Sequence, residues 1–176
     1  FSVYDTTLWT TMSYISPDDS RARYFNDYPV SNTFWNFQSP LTPMPLDILA
    51  AQRLYGLPTT GPLLSGNATF GFNSALGGFY SFQANQQYVL TLWDAGTHNT
   101  FDLSGYGQDA VIDLHPGNFS SAGGLRNNIG IAFGTVIETG IGGTGNDWIY
   151  ASDVCTSGSA RPSTSSTRWS AATISR

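Results

Sequence analysis

The spacing of apolar residues changes twice along this chain. Over residues 1–45, aromatics and turn formers mix without helical periodicity. Pro40-Leu41-Thr42-Pro43-Met44-Pro45 then makes a rigid approach, because each proline fixes its own φ and restricts the residue before it. Leu46, Leu49, Ala50 and Leu54 recur at the spacing of one helix face, which predicts a helix over Leu46–Tyr55. Asp47 in its first turn and Arg53 near its last suit the helix dipole, and Gly56 supplies a stop.

A linker of Pro, Thr, Gly and Ser over residues 57–68 marks a candidate domain boundary. Beyond it short apolar runs alternate with Gly, Asn and Asp turns, predicting strands at Thr69–Phe72, Tyr88–Trp93, Val111–Leu114, Ile129–Phe133 and Thr135–Ile137. The fold class expected is mainly β with one helix. Gly142-Gly143-Thr144-Gly145-Asn146-Asp147-Trp148-Ile149-Tyr150 matches one unit of the nonapeptide repeat that builds calcium-binding parallel β-rolls.

Composition narrows the function. The chain has 176 residues, of which 40% are hydrophobic, enough for a packed core. No apolar run approaches a membrane span. Twelve acidic residues against seven arginines, with no lysine, argue against a nucleic-acid partner and suit a protein that attracts cations. Glu138 is the single glutamate, and His98 and His115 are the only histidines, so an H-E-x-x-H zinc helix cannot be assembled. The two histidines, seventeen residues apart in turns, read as exposed turn residues rather than a metal pair. Cys155 is alone, which removes disulfide frameworks, and it lacks a basic neighbour that would make it a nucleophile. Asp18-Asp19 reads as a solvated turn, and Gly142–Gly145 is no phosphate cradle because no Lys-Ser/Thr follows. The chain begins at Phe1 with no signal peptide after it, the mark of a piece of a longer protein.

Several segments taken in order resemble the serralysin family of secreted zinc metalloendopeptidases, bacterial members of the metzincins. Thr11-Met12-Ser13-Tyr14 looks like the family's Met-turn and its tyrosine. Leu46 to Gly56 looks like the helix closing the catalytic domain, and Thr69-Phe70-Gly71-Phe72-Asn73-Ser74 like the start of the β-roll domain. Trp93-Asp94-Ala95-Gly96, Asp102-Leu103-Ser104-Gly105-Tyr106 and Ile141 to Asp147 follow in family order. The resemblance covers residues 1–150 and implies three parts. Residues 1–60 would be the end of a catalytic domain. Residues 61–150 would be the start of an incomplete calcium-binding parallel β-roll or sandwich domain, and 151–176 a tail.

The resemblance also implies roles. Met12 would form the apolar floor beneath the zinc ligands, which matches a plain reading of a thioether filling a core gap. Tyr14 would act as a weak zinc ligand or donate to an oxyanion in the intact parent. The histidine helix carrying the zinc would precede Phe1. Calcium would take carbonyl ligands at Leu64, Gly66 and Ala68, then at Asp94, Gly96, Thr97 and Asn99, with Asp94 adding its carboxylate. Val136 by carbonyl and Glu138 by carboxylate would form a further pair, and Gly143, Gly145 and Asp147 a roll site. Three departures stand out: His98-Asn99 where the family has Asn-Asp, Leu64 for an arginine and Asn67 for an aspartate. For each aspartate the plainer reading is an Asx-turn residue.

Two functions follow from this. One is the end of a secreted, extracellular zinc endopeptidase acting on protein or peptide substrates, inactive in this chain alone. The other is a non-enzymatic calcium-binding module serving export or stability, or a catalytically dead paralogue. Calcium is the expected cofactor, zinc belongs to the intact parent only, and a monomer is expected. Residues 151–176 carry twelve Ser or Thr and no strand periodicity, which predicts disorder. The break inside a repeat suggests a shifted reading frame; a natural Ser/Thr-rich tail is the alternative.

Overall fold

The computed structural model describes residues 2–19, 34–153 and the backbone of 168–169. Among the described residues one α-helix, α1 (Pro45–Tyr55), is followed by nine short strands. These are β1 (Thr69–Gly71), β2 (Leu90–Leu92), β3 (Asn99–Asp102), β4 (Val111–Asp113), β5 (Phe119–Ser120), β6 (Ile129–Ile131), β7 (Ile137–Ile141), β8 (Trp148–Tyr150) and β9 (Arg168–Trp169). The mainly-β expectation is met.

Helix α1 forms where its periodicity predicts, with Pro45 added at its start, a position that needs no amide proton. Asp47 reaches back to accept the Met44 N–H at 2.9 Å. Gly56 ends the helix at φ +80°, its own N–H donating to Gln52 O. The face shared by Leu46, Leu49, Ala50 and Leu54 is not buried. Only Pro45 is buried, Leu46 packs partly against the core, and Leu54 stands 75% exposed. Spacing defines a stripe; it does not supply the surface that covers it.

Beyond residue 60 the strands stack mostly in parallel. β1, β3 and β7 form one sheet and β4, β8 and β9 another. In the third sheet β2 pairs parallel with β6, and β5 pairs antiparallel with β6. The chain passes from β3 to β4 and from β7 to β8 through glycine-rich turns, so each circuit lays one rung on each of two sheets. One face of each sheet turns inward to the core, while Val111 in β4, Ile141 in β7 and Trp148 and Tyr150 in β8 stand exposed on the other. Phe70, Leu90, Leu92, Phe101, Ile112, Ile129, Ile131 and Ile137 are fully buried between the sheets.

Three strands escaped the periodic reading. β3 is Asn-Thr-Phe-Asp, whose polar residues look like turn, β5 has two residues, and β9 lies in the tail read as lacking strand periodicity. β7 starts at Ile137, where the expected Thr135–Ile137 strand ends. Thr135 is instead fully buried in the turn before it.

A second core joins the first 60 residues to the roll. Leu8, Trp9, Phe34, Trp35 and Met44 pack with Val89 and Leu125. Trp9 meets Phe119 edge-on with centroids 4.9 Å apart. The fully buried Trp35 donates its indole N–H to Arg126 O at 3.1 Å. Asp18, expected in a solvated turn, is only 7% exposed. Its carboxylate accepts the N–H groups of Phe34 (2.7 Å), Trp35 and Phe37, fixing the segment that carries Trp35. A buried carboxylate is tolerable where several backbone donors point at it.

Residues 151–176 fall largely outside the described residues, Cys155 among them. Ser152 is buried, its hydroxyl donating to Ile137 O at 3.3 Å. β9 lies parallel to β8 with Trp148 opposite Arg168 and Ile149 opposite Trp169. The repeat strand β8 is therefore flanked on both sides, by β4 and by β9.

Candidate functional site

Three loops meet beside the first rungs of the roll: residues 63–68 before β1, 94–99 before β3 and 134–138 at the start of β7. Glycine permits the approach. A Cβ on Gly66 would lie 1.9 Å from Thr97 O, and one on Gly96 2.1 Å from the Gly66 nitrogen. Only hydrogen fits at either position. The loops are sewn together by Ala95 N–H to Leu63 O (3.0 Å), Asn67 N–H to Thr97 O (2.8 Å) and Thr100 N–H to Ala68 O (2.8 Å). Leu64, Gly66, Ala68, Asp94, Gly96, Thr97, Asn99, Val136 and Glu138 are thus brought to one place.

Two kinds of wiring divide that place. Asp94 is 1% exposed, and its Oδ1 accepts the Gly96 N–H at 2.6 Å. Its Oδ2 has no hydrogen-bond partner; among the described residues the only other such buried side-chain atom is the Thr6 hydroxyl oxygen. Thr135, which the sequence reading passed over, holds the Asp94 backbone through its hydroxyl, accepting Asp94 N–H and donating to Asp94 O, both at 3.2 Å. Leaving a carboxylate oxygen buried without a donor is costly, and a cation at that oxygen removes the cost. The Asp94 side fits calcium.

On the other side the Gly96, Val136 and Glu138 oxygens already have donors. The Asn99 Nδ2 group donates to Gly96 O (3.2 Å) and Val136 O (2.9 Å). Glu138 accepts His98 N–H at 2.8 Å and Asn99 N–H at 2.9 Å on its two oxygens. His98 takes a left-handed φ of +64°, which turns its N–H toward Glu138.

A second place lies between β4 and β8. The turn Gly142–Asp147 stacks on residues 104–110: Thr144 N–H bonds Tyr106 O at 3.0 Å, and a Cβ on Gly143 would sit 2.0 Å from that same oxygen. Two carboxylates cross between the turns. Asp109 accepts Asn146 N–H at 2.8 Å, and Asp147 accepts Ala110 N–H at 2.9 Å. Burial pushes the Asp147 carboxyl above its ordinary 3.8, and the Asp109 charge adds to this; bonds from Ala110 and Gly143 pull the other way. Asp109 was missed in the sequence. Its signal was Gly105-Tyr106-Gly107-Gln108-Asp109, a worn glycine turn whose following strand registers Val111 against Trp148.

Met12 and Tyr14 lie apart from both places, 80% and 98% exposed. Met12 fills no core gap here; the turn presents both side chains outward. Thr10 and Thr11 beside it are tied to Asp47, whose carboxylate accepts both hydroxyls and the Thr11 N–H. Burial alone would raise the Asp47 carboxyl, but these bonds and the Met44 N–H outweigh it and hold it below 3.8. No group of three His, Cys, Asp or Glu residues that could hold a metal occurs among the described residues.

Residues 63–171 match the family model described as Peptidase M10 serralysin C terminal. Serralysin of Proteus mirabilis is 42% identical over 134 residues, covering 74% of this chain and 26% of that protein. Serralysin B of Dickeya chrysanthemi is 42% identical over 135 residues (74% and 28%), and serralysin C of the same organism 38% identical over 145 (81% and 28%). The chain thus spans little more than a quarter of the length of these curated relatives. Parallel rungs joined by stacked glycine turns, and a family model matching more than half of the residues, place this chain in the serralysin family, as a part of it that includes the C-terminal domain.

Proposed function

We propose that this chain is the calcium-stabilised part of a secreted, serralysin-like zinc metalloendopeptidase. One observation carries the calcium reading: a carboxylate oxygen of Asp94, buried and without a partner, where glycines let two loops touch. Calcium takes six to eight oxygen ligands, and the Asp94 carboxylate with the carbonyls of Leu64 and Gly66 would hold it, joined by the second lone pair of Ala68 O, whose first accepts Thr100 N–H. Asp147 with the Gly143 and Gly145 carbonyls is the second candidate. Asp109 crosses beside it and adds a carboxylate that the nonapeptide pattern alone does not supply.

Peptide-bond hydrolysis belongs in this reading to the intact parent. Zinc, when bound there, supplies a Lewis acid and an activated water. In this chain Met12 and Tyr14 stand exposed on a turn that Asp47 fixes, available to a zinc-bearing partner segment: Met12 as apolar support, Tyr14 as a weak ligand or oxyanion donor. By itself the chain would act as a non-enzymatic, monomeric calcium-binding module.

The test is thermal unfolding of the chain in excess chelator and in millimolar calcium. At free calcium about 100 times the dissociation constant, stabilisation of about 2.7 kcal/mol is expected, and Asp94→Ala should remove most of it. Identical transitions in both conditions would defeat the calcium reading. The same preparation, supplied with zinc, should not cleave casein.

A further inference from the structure

At the loop junction, Asn99 is fully buried and uses all of its side-chain hydrogen-bonding groups. Its Oδ1 accepts Ala68 N–H at 2.9 Å, while its Nδ2 donates to Gly96 O at 3.2 Å and Val136 O at 2.9 Å. The orientation of the amide is fixed by its partners. Flipped, Oδ1 would face two carbonyl oxygens and Nδ2 would face an N–H. Its own backbone N–H, together with that of His98, occupies the Glu138 carboxylate. Donors and acceptors therefore balance at this half of the junction, whereas at Asp94 they do not.

A carboxylate in place of the amide would reverse this. Its second oxygen would stand within hydrogen-bonding distance of the Gly96 and Val136 carbonyl oxygens with no proton between. A cation, or a proton taken up by the carboxylate, is needed to reconcile such a cluster of oxygens. We propose that the Asn99 amide takes the place of a cation between the Gly96 and Val136 carbonyl oxygens, with Glu138 satisfied by backbone N–H groups, so that this half of the junction holds together without calcium. The inference rests on the calcium reading for Asp94 and adds the residue that limits occupancy to one half. Asn99 decides how many ions the junction binds.

Calcium stoichiometry of the whole chain, measured by isothermal titration and equilibrium dialysis, tests this with two substitutions. Asn99→Asp should bind one more calcium than the unaltered chain, melt lower in chelator, and recover more on calcium addition. Glu138→Gln should leave the stoichiometry of the unaltered chain unchanged. Loss of one ion in Glu138→Gln overturns the proposal, and that measurement decides it if Asn99→Asp does not fold in chelator. A folded Asn99→Asp that gains no ion overturns it too. Should the unaltered chain bind no calcium at all, the Asp94 reading fails by itself; a gain of one ion in Asn99→Asp would still uphold the role of Asn99.

Discussion

Asp47 in helix α1 grips Thr11, accepting its N–H at 2.8 Å and its hydroxyl at 2.9 Å on one carboxylate oxygen. The same oxygen caps the helix through Met44 N–H. One side chain thus starts the helix and sets the direction of the turn bearing Met12 and Tyr14.

Asp47→Ala should lower stability by about 1–2 kcal/mol, the lower part of the range for charge-assisted bonds because the site is partly exposed. The folded carboxyl lies below 3.8, so its contribution is present above that value and is lost as pH falls through the lowered one. Denaturant unfolding of Asp47→Asn between pH 2 and 6 should therefore show a shallower acid limb than the unaltered chain. An equally steep limb would remove Asp47 from the account.

Asp94→Asn should cross the unaltered chain. In chelator the neutral amide removes the penalty of an unpartnered carboxylate oxygen, and the variant should melt at or above the original. In millimolar calcium it should melt below it, having lost an anionic ligand. Calorimetry in both buffers measures this, and a variant that is lower in both would mean that Asp94 is already satisfied without a cation.

Gly66 and Gly134 separate two costs. Both have left-handed φ, +75° and +82°, but nothing lies within 4 Å of a Cβ on Gly134. Gly134→Ala should cost about 1–2 kcal/mol for the backbone conformation alone. Gly66→Ala adds a collision with Thr97 backbone and should cost roughly 3 kcal/mol or more, opening the loop junction. Equal effects in urea titrations would show that the loops part without penalty.

Asp147 makes an opposite pH prediction. Its folded carboxyl lies above 3.8, so its contribution is complete below that value and is lost as pH rises through the raised one. In chelator the stability of the chain should fall across that window, and Asp147→Asn should flatten the fall. Asp109→Asn should bring the Asp147 titration back toward 3.8, as followed by side-chain NMR. Titration of Asp147 at or below 3.8 in the unaltered chain would contradict its burial between the stacked turns.

Helix α1, the order of most strands and the glycine turn at 142–147 were legible in the sequence. Each is set by neighbours within a few residues: the spacing of Leu46, Leu49 and Ala50, the stop at Gly56, the nonapeptide unit ending at Tyr150. The loop bearing Asp94 was legible too, through the order of motifs along the chain, whereas Glu138 lies in β7, beyond the end of the expected strand. Other features depended on contacts between distant segments. Nothing local in Asn-Thr-Phe-Asp announces a strand; β3 forms because β1 and β7 offer it backbone partners on both sides. The solvated-turn reading of Asp18 failed because its donors come from Phe34, Trp35 and Phe37, beyond any local window. Leu54 and Met12 have apolar side chains, and composition cannot tell whether a surface exists to cover them. Asn99 is the clearest instance. As a residue type it could be a weakened calcium ligand or an amide that replaces the ion, and those differ only in which atoms face its two side-chain heteroatoms. Ala68, Gly96 and Val136 come from three separate loops, and only their meeting settles the polarity of the amide.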